Sequence, residues 1–264
     1  MIAVIGGSGV YNSSFSGNAK QQTIETPYGP VPYQSGQINN VPAYFLARHG
    51  IHHSIAPHLI NYRANIWALK KLGVQKIFST AAVGSLSEQI KPGSFVVIDD
   101  FLEFTHERAS TFFAGGSNSK VLHMDVSQPY CPDLRAILID QIKQHGQQPV
   151  EYGTYVCTQG PRYETKAEIK MYQKFDGHVV GMTNFPECVL AREAEMCYAT
   201  ICLVTNFAAG IAKHSLTFKE VDDLMREQKI LLDNILESSL QAAITAPVTC
   251  DCAKAAYEVG GFKL

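Results

Sequence analysis

Met1-Ile2-Ala3-Val4-Ile5-Gly6-Gly7-Ser8-Gly9 opens the chain, and its reading decides the fold class. An unbroken apolar run rich in β-branched residues, stopped by glycine, predicts a buried strand over 1–5 and a turn after it. Working outward, similar runs predict strands over 42–48, 76–83, 94–102, 151–159, 178–182 and 200–206. Segments of helical period lie between several of them, at 58–73, 132–145, 164–176, 186–197 and 217–243. The last opens with Thr217-x-x-Glu220, a capping box in sequence. This alternation predicts an α/β fold of three layers, a mixed twisted central sheet with helices on both faces. Residues 1–264 read as one domain, because α/β folds of this length often do not split.

Composition narrows the function. Apolar residues make up 46% of the chain, enough for a sizeable core, and 17% are charged, too few for a disordered chain. A net charge of -2 gives no electrostatic footprint for nucleic acid or an anionic membrane. An anionic substrate therefore needs local donors. The N-terminal apolar run is too short for a signal peptide or a membrane span and has no basic leader. Most of the seven cysteines sit among apolar residues, as reduced core thiols of a cytoplasmic protein would. Cys250 and Cys252 form a C-x-C that lacks a neighbouring His or Cys cluster in sequence. Incidental thiols are expected there, although a metal pair or a strained disulfide is also open.

In open sheets, ligands bind where strands end. Gly6-Gly7-Ser8-Gly9 is either a plain tight turn or an anion cradle of backbone N–H groups with the Ser8 hydroxyl. It lacks the third glycine of a dinucleotide fingerprint. Arg48-His49 ends a strand and offers a guanidinium fork plus an imidazole donor, or only a surface pair. Small residues at Ala81, Ala82 and Gly84 permit a ligand to approach the backbone, or simply pack tightly. Thr183 and Asn184 can cap the helix that Pro186 begins, which is also a place for an anion. His52, His53 and His58 suggest a metal less well, because no carboxylate completes a ligand set.

Together and in this order, these motifs resemble the trimeric purine nucleoside phosphorylase family, in its methylthioadenosine phosphorylase branch. The resemblance runs from Ile2 to about Leu240, strongest in IGGSGV, FLARHG, AVGSL, CTQGPRYET, GMTNFPECVLAREAEMCYA and VTNFAAG. It implies a phosphate site of Ser8, Arg48, His49, the Ala81–Ala82 backbone and Thr183. It further implies ribose contact at Met182, an aromatic Tyr163 near base and sugar, and inorganic phosphate as co-substrate with no cofactor or metal. The implied assembly is a homotrimer, or a dimer of trimers, in which His123 reaches a neighbouring subunit's site.

The base is expected to be a 6-oxopurine. Adenine-specific relatives carry Asp at the positions of Asn206 and Ala208 and usually lack the carboxylate of Glu164. A Glu164 carboxylate accepts the N1–H of hypoxanthine but meets adenine N1 lone pair to lone pair, while Asn206 can donate to N7 or O6. The plain alternative is that Glu164 caps helix 164–176. Asn206, Glu164 and His49 are the expected catalytic groups. Leu216, Phe218 and Val221 align with the residues that hold a 5′-methylthio group in the branch, so S-methyl-5′-thioinosine is the expected substrate. His214 keeps inosine and guanosine, with their 5′-hydroxyl, as rivals.

Overall fold

The computed structural model describes residues 1–7, 20–38, 40–50, 52–115, 120–211 and 217–264. Strand β1 (Ile2–Gly6) is fully buried, as its apolar run requires. It lies parallel to β4 (Val41–Ala47) on one side and to β5 (Lys76–Ser85) on the other. Ala3 and Ile5 pack into one core cluster while Ile2 and Val4 enter another, the alternation of a strand covered on both faces.

Helices α1 (Tyr62–Lys71) and α4 (Asn184–Glu193) cover the first face through Ile66, Leu69, Cys188 and Leu190. Helices α2 (Pro132–Gln144) and α5 (Phe218–Thr245) cover the second through Leu134, Leu138, Leu232 and Ile235. Helix α3 (Lys166–Lys174) packs Ile169 and Tyr172 on β8 (Thr154–Thr158) and β9 (Gly177–Gly181). The sheet is mixed, with helices on both faces, in line with the expected architecture. Among the described residues no helix is long and apolar enough to cross a membrane.

Two departures from the sequence reading have physical causes. Strands β2 (Lys20–Ile24) and β3 (Val31–Ile38) are absent from it; they pair antiparallel and extend the sheet beyond β4. β2 is nearly all polar and exposed, so no apolar alternation marks it. Pro32 and Gly36 lower the strand signal of β3. The run 94–102 is two strands: β6 (Phe95–Val97) pairs antiparallel with β10 (Cys197–Phe207), and β7 (Asp100–Phe104) pairs parallel with β8.

The placement of the site follows from β5. One edge of β5 is taken along its length by β10, from Lys76↔Cys197 to Ser85↔Phe207. Its other edge is shared: β1 pairs with 76–79, and β9 pairs only with Gly84 and Ser85. Residues 80–83 therefore face a gap between two strands in the middle of the sheet. This is a switch point, where backbone groups that no neighbouring strand occupies are open to a ligand.

Candidate active site

A cavity of about 240 Å³ fills that gap. Gly7, Arg48, His49, Ala81, Ala82 and Thr183, from four strand ends far apart in sequence, all line it. So do Glu164, Asn206 and Ala208 from the expected base site. Met182, Tyr163 and Val221 complete the wall. Ser8, His214 and Leu216 and the side chain of Phe218 lie outside the described residues. His123 is exposed and is not among the lining residues of its own chain's cavity.

Arg48 is not a free fork. Its Nε donates to Glu187 Oε2 at 2.7 Å, and Nη2 donates to Glu187 Oε1 and to Ser79 Oγ, each at 2.6 Å. Nη1 donates to Thr80 O at 3.0 Å. A guanidinium has five N–H groups, so a single Nη1 N–H is left without a protein partner among the described residues. The sequence reading expected a fork for two phosphate oxygens; the fold gives that fork to Glu187. Burial alone would make Arg48 easier to deprotonate, but the adjacent Glu187 carboxylate outweighs it and raises the pKa further. Glu187 is fully buried and also accepts from Tyr198 Oη at 2.7 Å and Ser79 Oγ at 3.2 Å. Sequence reasoning missed this role. The signal was an acid set in the apolar run Phe185-Pro186-Glu187-Cys188-Val189-Leu190, because a buried carboxylate needs a cation.

His49 is 5% exposed, and burial, with Arg48 and His53 adding to it, pushes its pKa down to about 4. Its Nδ1 stands 2.8 Å from Ile55 O, and a carbonyl can only accept. The neutral ring therefore carries its proton on Nδ1, leaving Nε2 as an acceptor. An acceptor, rather than the donor expected from sequence, is what His49 offers.

Thr183 makes no side-chain cap hydrogen bond. Phe185 is extended (φ -99°, ψ 134°), so regular helix begins only at Pro186, and the Thr183 hydroxyl is set off from the helix end. Asn184 does not cap either; its side chain bonds Tyr130 Oη at 2.6 Å and Thr200 Oγ1 at 2.9 Å.

On the base side, the register of β10 against β5 shifts between Val204 and Asn206. The bulge inserts Thr205, whose hydroxyl donates to Val83 O at 3.2 Å and Asn206 Oδ1 at 2.8 Å. Asn206 Nδ2 donates to Phe207 O at 3.0 Å, so the amide is oriented and, among the described residues, keeps one N–H to offer. Gly84 makes room for it: a Cβ there would lie 3.3 Å from Asn206 Nδ2 and 3.2 Å from Val180 Cγ1. Glu164 precedes α3 and does not cap it, since Thr165 and Glu168 form the capping box. Its Oε1 accepts from Thr158 Oγ1 at 2.7 Å, and burial raises its pKa above the ordinary carboxyl value.

Comparisons with known proteins identify the family. A family model described as "Phosphorylase superfamily" matches residues 1–241. The chain is 49% identical over 231 residues to the 6-oxopurine nucleoside phosphorylase of Pyrococcus furiosus, covering 86% of this chain and 87% of that one. It is 46% identical over 254 residues to the probable S-methyl-5′-thioinosine phosphorylase of Methanothermobacter thermautotrophicus, covering 96% of this chain and 87% of its relative. Methylthioadenosine phosphorylase of Schistosoma mansoni, solved with adenine, superposes with a TM-score of 0.91 at 31% identity over 98% of this chain and 96% of that one. The gapped mixed sheet, its ordered strand-end motifs and these matches establish that the chain belongs to the phosphorylase superfamily.

Proposed function

We propose that the protein cleaves the N-glycosidic bond of 6-oxopurine nucleosides with inorganic phosphate. S-methyl-5′-thioinosine is the preferred substrate, giving hypoxanthine and S-methyl-5-thioribose 1-phosphate. The observation that carries the base reading is that Glu164 and an oriented Asn206 line the same cavity, with Ala208 where a second acid would serve adenine. The 5′ reading rests on Val221, buried in the lining of that cavity.

In this reading phosphate sits among the remaining Arg48 Nη1 N–H, the 81–82 backbone, Thr183 and His49. Hydrogen phosphate keeps one P–OH, and His49 Nε2 is the acceptor for it. A phosphate oxygen attacks C1′ as the C1′–N9 bond breaks and its electron pair passes to the purine. Asn206 N–H meets the growing charge at N7 or O6, and Glu164 holds N1–H. The phosphate proton leaves with the purine, so charge and protons balance. No metal, organic cofactor or protein nucleophile takes part.

The proposed working unit is a homotrimer or a dimer of trimers, and the proposed compartment is the cytoplasm. The exposed His123 would close a neighbour's cavity; mixing H123A subunits with an active-site variant and assaying for complementation tests that.

The deciding experiment measures phosphate-dependent release of base from methylthioinosine, inosine and methylthioadenosine side by side. Methylthioinosine should lead. Inosine leading would keep the base reading and remove the apolar 5′ pocket, while methylthioadenosine leading would overturn the base reading.

A further inference from the structure

Four of the seven cysteines converge outside the cavity lining, although 121 positions separate the first from the last in sequence, from 131 to 252. The Sγ atoms of Cys131, Cys197, Cys250 and Cys252 all lie within 4.8 Å of one another. Cys250 Sγ stands 3.5 Å from both Cys131 Sγ and Cys197 Sγ. Cys131, Cys197 and Cys252 are buried and Cys250 is half-buried. In sequence the C-x-C has no partners; the fold supplies two, from the start of α2 and the start of β10.

The spacing distinguishes between chemistries. A disulfide draws two sulfurs to about 2.0 Å, and none of the four is so paired. Tetrahedral thiolates around an ion at about 2.3 Å stand roughly 3.8 Å from one another, the separation this cluster approaches. The backbone around the C-x-C is also held. Asp133, in the first turn of α2, accepts N–H from Thr249 at 2.7 Å and from Cys250 at 3.0 Å, and the Thr249 hydroxyl at 2.6 Å. Such outer contacts orient ligands in built metal sites.

We propose that these four cysteines bind one divalent cation of the zinc class, a structural site that clasps the C-terminal segment to α2 and β10. A tetrahedral set of four sulfurs selects a soft ion, and with four protein ligands it leaves no position for substrate. On binding, the thiols that are protonated release their protons to solvent, and no sulfur is oxidised.

The test uses the full chain purified without chelator. Elemental analysis should find about one zinc per chain, and the intact mass should match fully reduced cysteines. Reduced, metal-free protein titrated with Co²⁺ should show a thiolate-to-cobalt charge-transfer band and tetrahedral ligand-field bands. C250S/C252S should lose both metal and band, while C188S, a buried cysteine outside the cluster, keeps them. C252H, which retains a ligand, should still bind Co²⁺ with a shifted spectrum and covers the case where the double variant does not fold. A mass lighter by four hydrogens would mean two disulfides and overturn the proposal. So would zinc-supplemented protein without metal or cobalt band, or C250S/C252S with undiminished metal.

Discussion

Glu187 grips Arg48 through two donors, Nε at 2.7 Å and Nη2 at 2.6 Å, and both side chains are buried. The pair sets how much of the guanidinium the cavity receives: one N–H, backed by a charge already balanced. Breaking a buried pair from one side leaves the other charge uncompensated, which costs roughly 3–5 kcal/mol. E187Q should therefore lower the free energy of urea unfolding by about that amount. Phosphate binding near an unbalanced Arg48 should recover more stability in E187Q than in wild type. Equal phosphate-induced shifts in melting temperature would mean that Arg48 does not sense an anion in the cavity.

Glu164 links base choice to pH. Burial raises its pKa, so protonation begins at a higher pH than for an ordinary glutamate. The ionised form accepts N1–H of a 6-oxopurine, and the protonated form donates, which suits adenine N1. As pH falls through that raised pKa, kcat/KM for methylthioinosine should fall and the preference over methylthioadenosine should narrow. E164Q, which can present either an acceptor or a donor, should have a weak preference that does not vary with pH over the same range. A wild-type preference that stays constant with pH would remove Glu164 from base recognition.

His49 makes the opposite kind of statement, about stability. Its pKa in the folded chain is about 4, below its ordinary value of 6.5. Below 6.5 the unfolded chain takes up a proton that the folded one refuses, so this contribution is complete above 6.5 and is lost as pH falls towards 4. At about 1.36 kcal/mol per unit the loss is on the order of 3 kcal/mol. H49Q should flatten the acid side of a plot of unfolding free energy against pH. A slope like that of wild type would place the acid sensitivity elsewhere, with the half-buried His53 next to test.

The layers and the strand ends were legible because burial on both faces writes long apolar runs, and four of those ends carry the cavity wall. What was not legible depends on partners rather than on pattern. Nothing local distinguishes Arg48 as a fork for phosphate from Arg48 as a fork for Glu187, since the two residues are 139 positions apart. The tautomer of His49 is set by Ile55 O, a backbone atom. The bulge that aims Asn206 is a property of pairing with β5. Arg108 gave no signal at all, lying in the stretch 105–130, which has no clear period.

Arg108 nevertheless joins the end of β8 to the segment 182–185, which carries the cavity-lining Met182 and Thr183. Nη1 donates to Met182 O at 2.9 Å and Phe185 O at 2.7 Å, and Nη2 to Thr158 O at 3.2 Å and Gln159 O at 3.0 Å. Nε donates to Gln159 Oε1 at 3.2 Å. The end of β8, where Thr158 holds Glu164, is thereby fixed against the segment bearing Met182 and Thr183. Gly160 tightens the same turn, with φ at +62° and a Cβ position only 2.5 Å from Met182 Sδ. A lysine has one ammonium and cannot bridge five acceptors spread over two loops. R108K should remain folded while kcat/KM falls roughly tenfold or more, equivalent to about 1.4 kcal/mol or more of transition-state stabilisation. R108A should lose more and regain part of its rate when guanidinium is added, with the effect larger on kcat than on the KM for phosphate. Rescue of folding without rescue of rate would assign Arg108 to stability alone, and R108K within twofold of wild type would show that the loops hold their geometry without it.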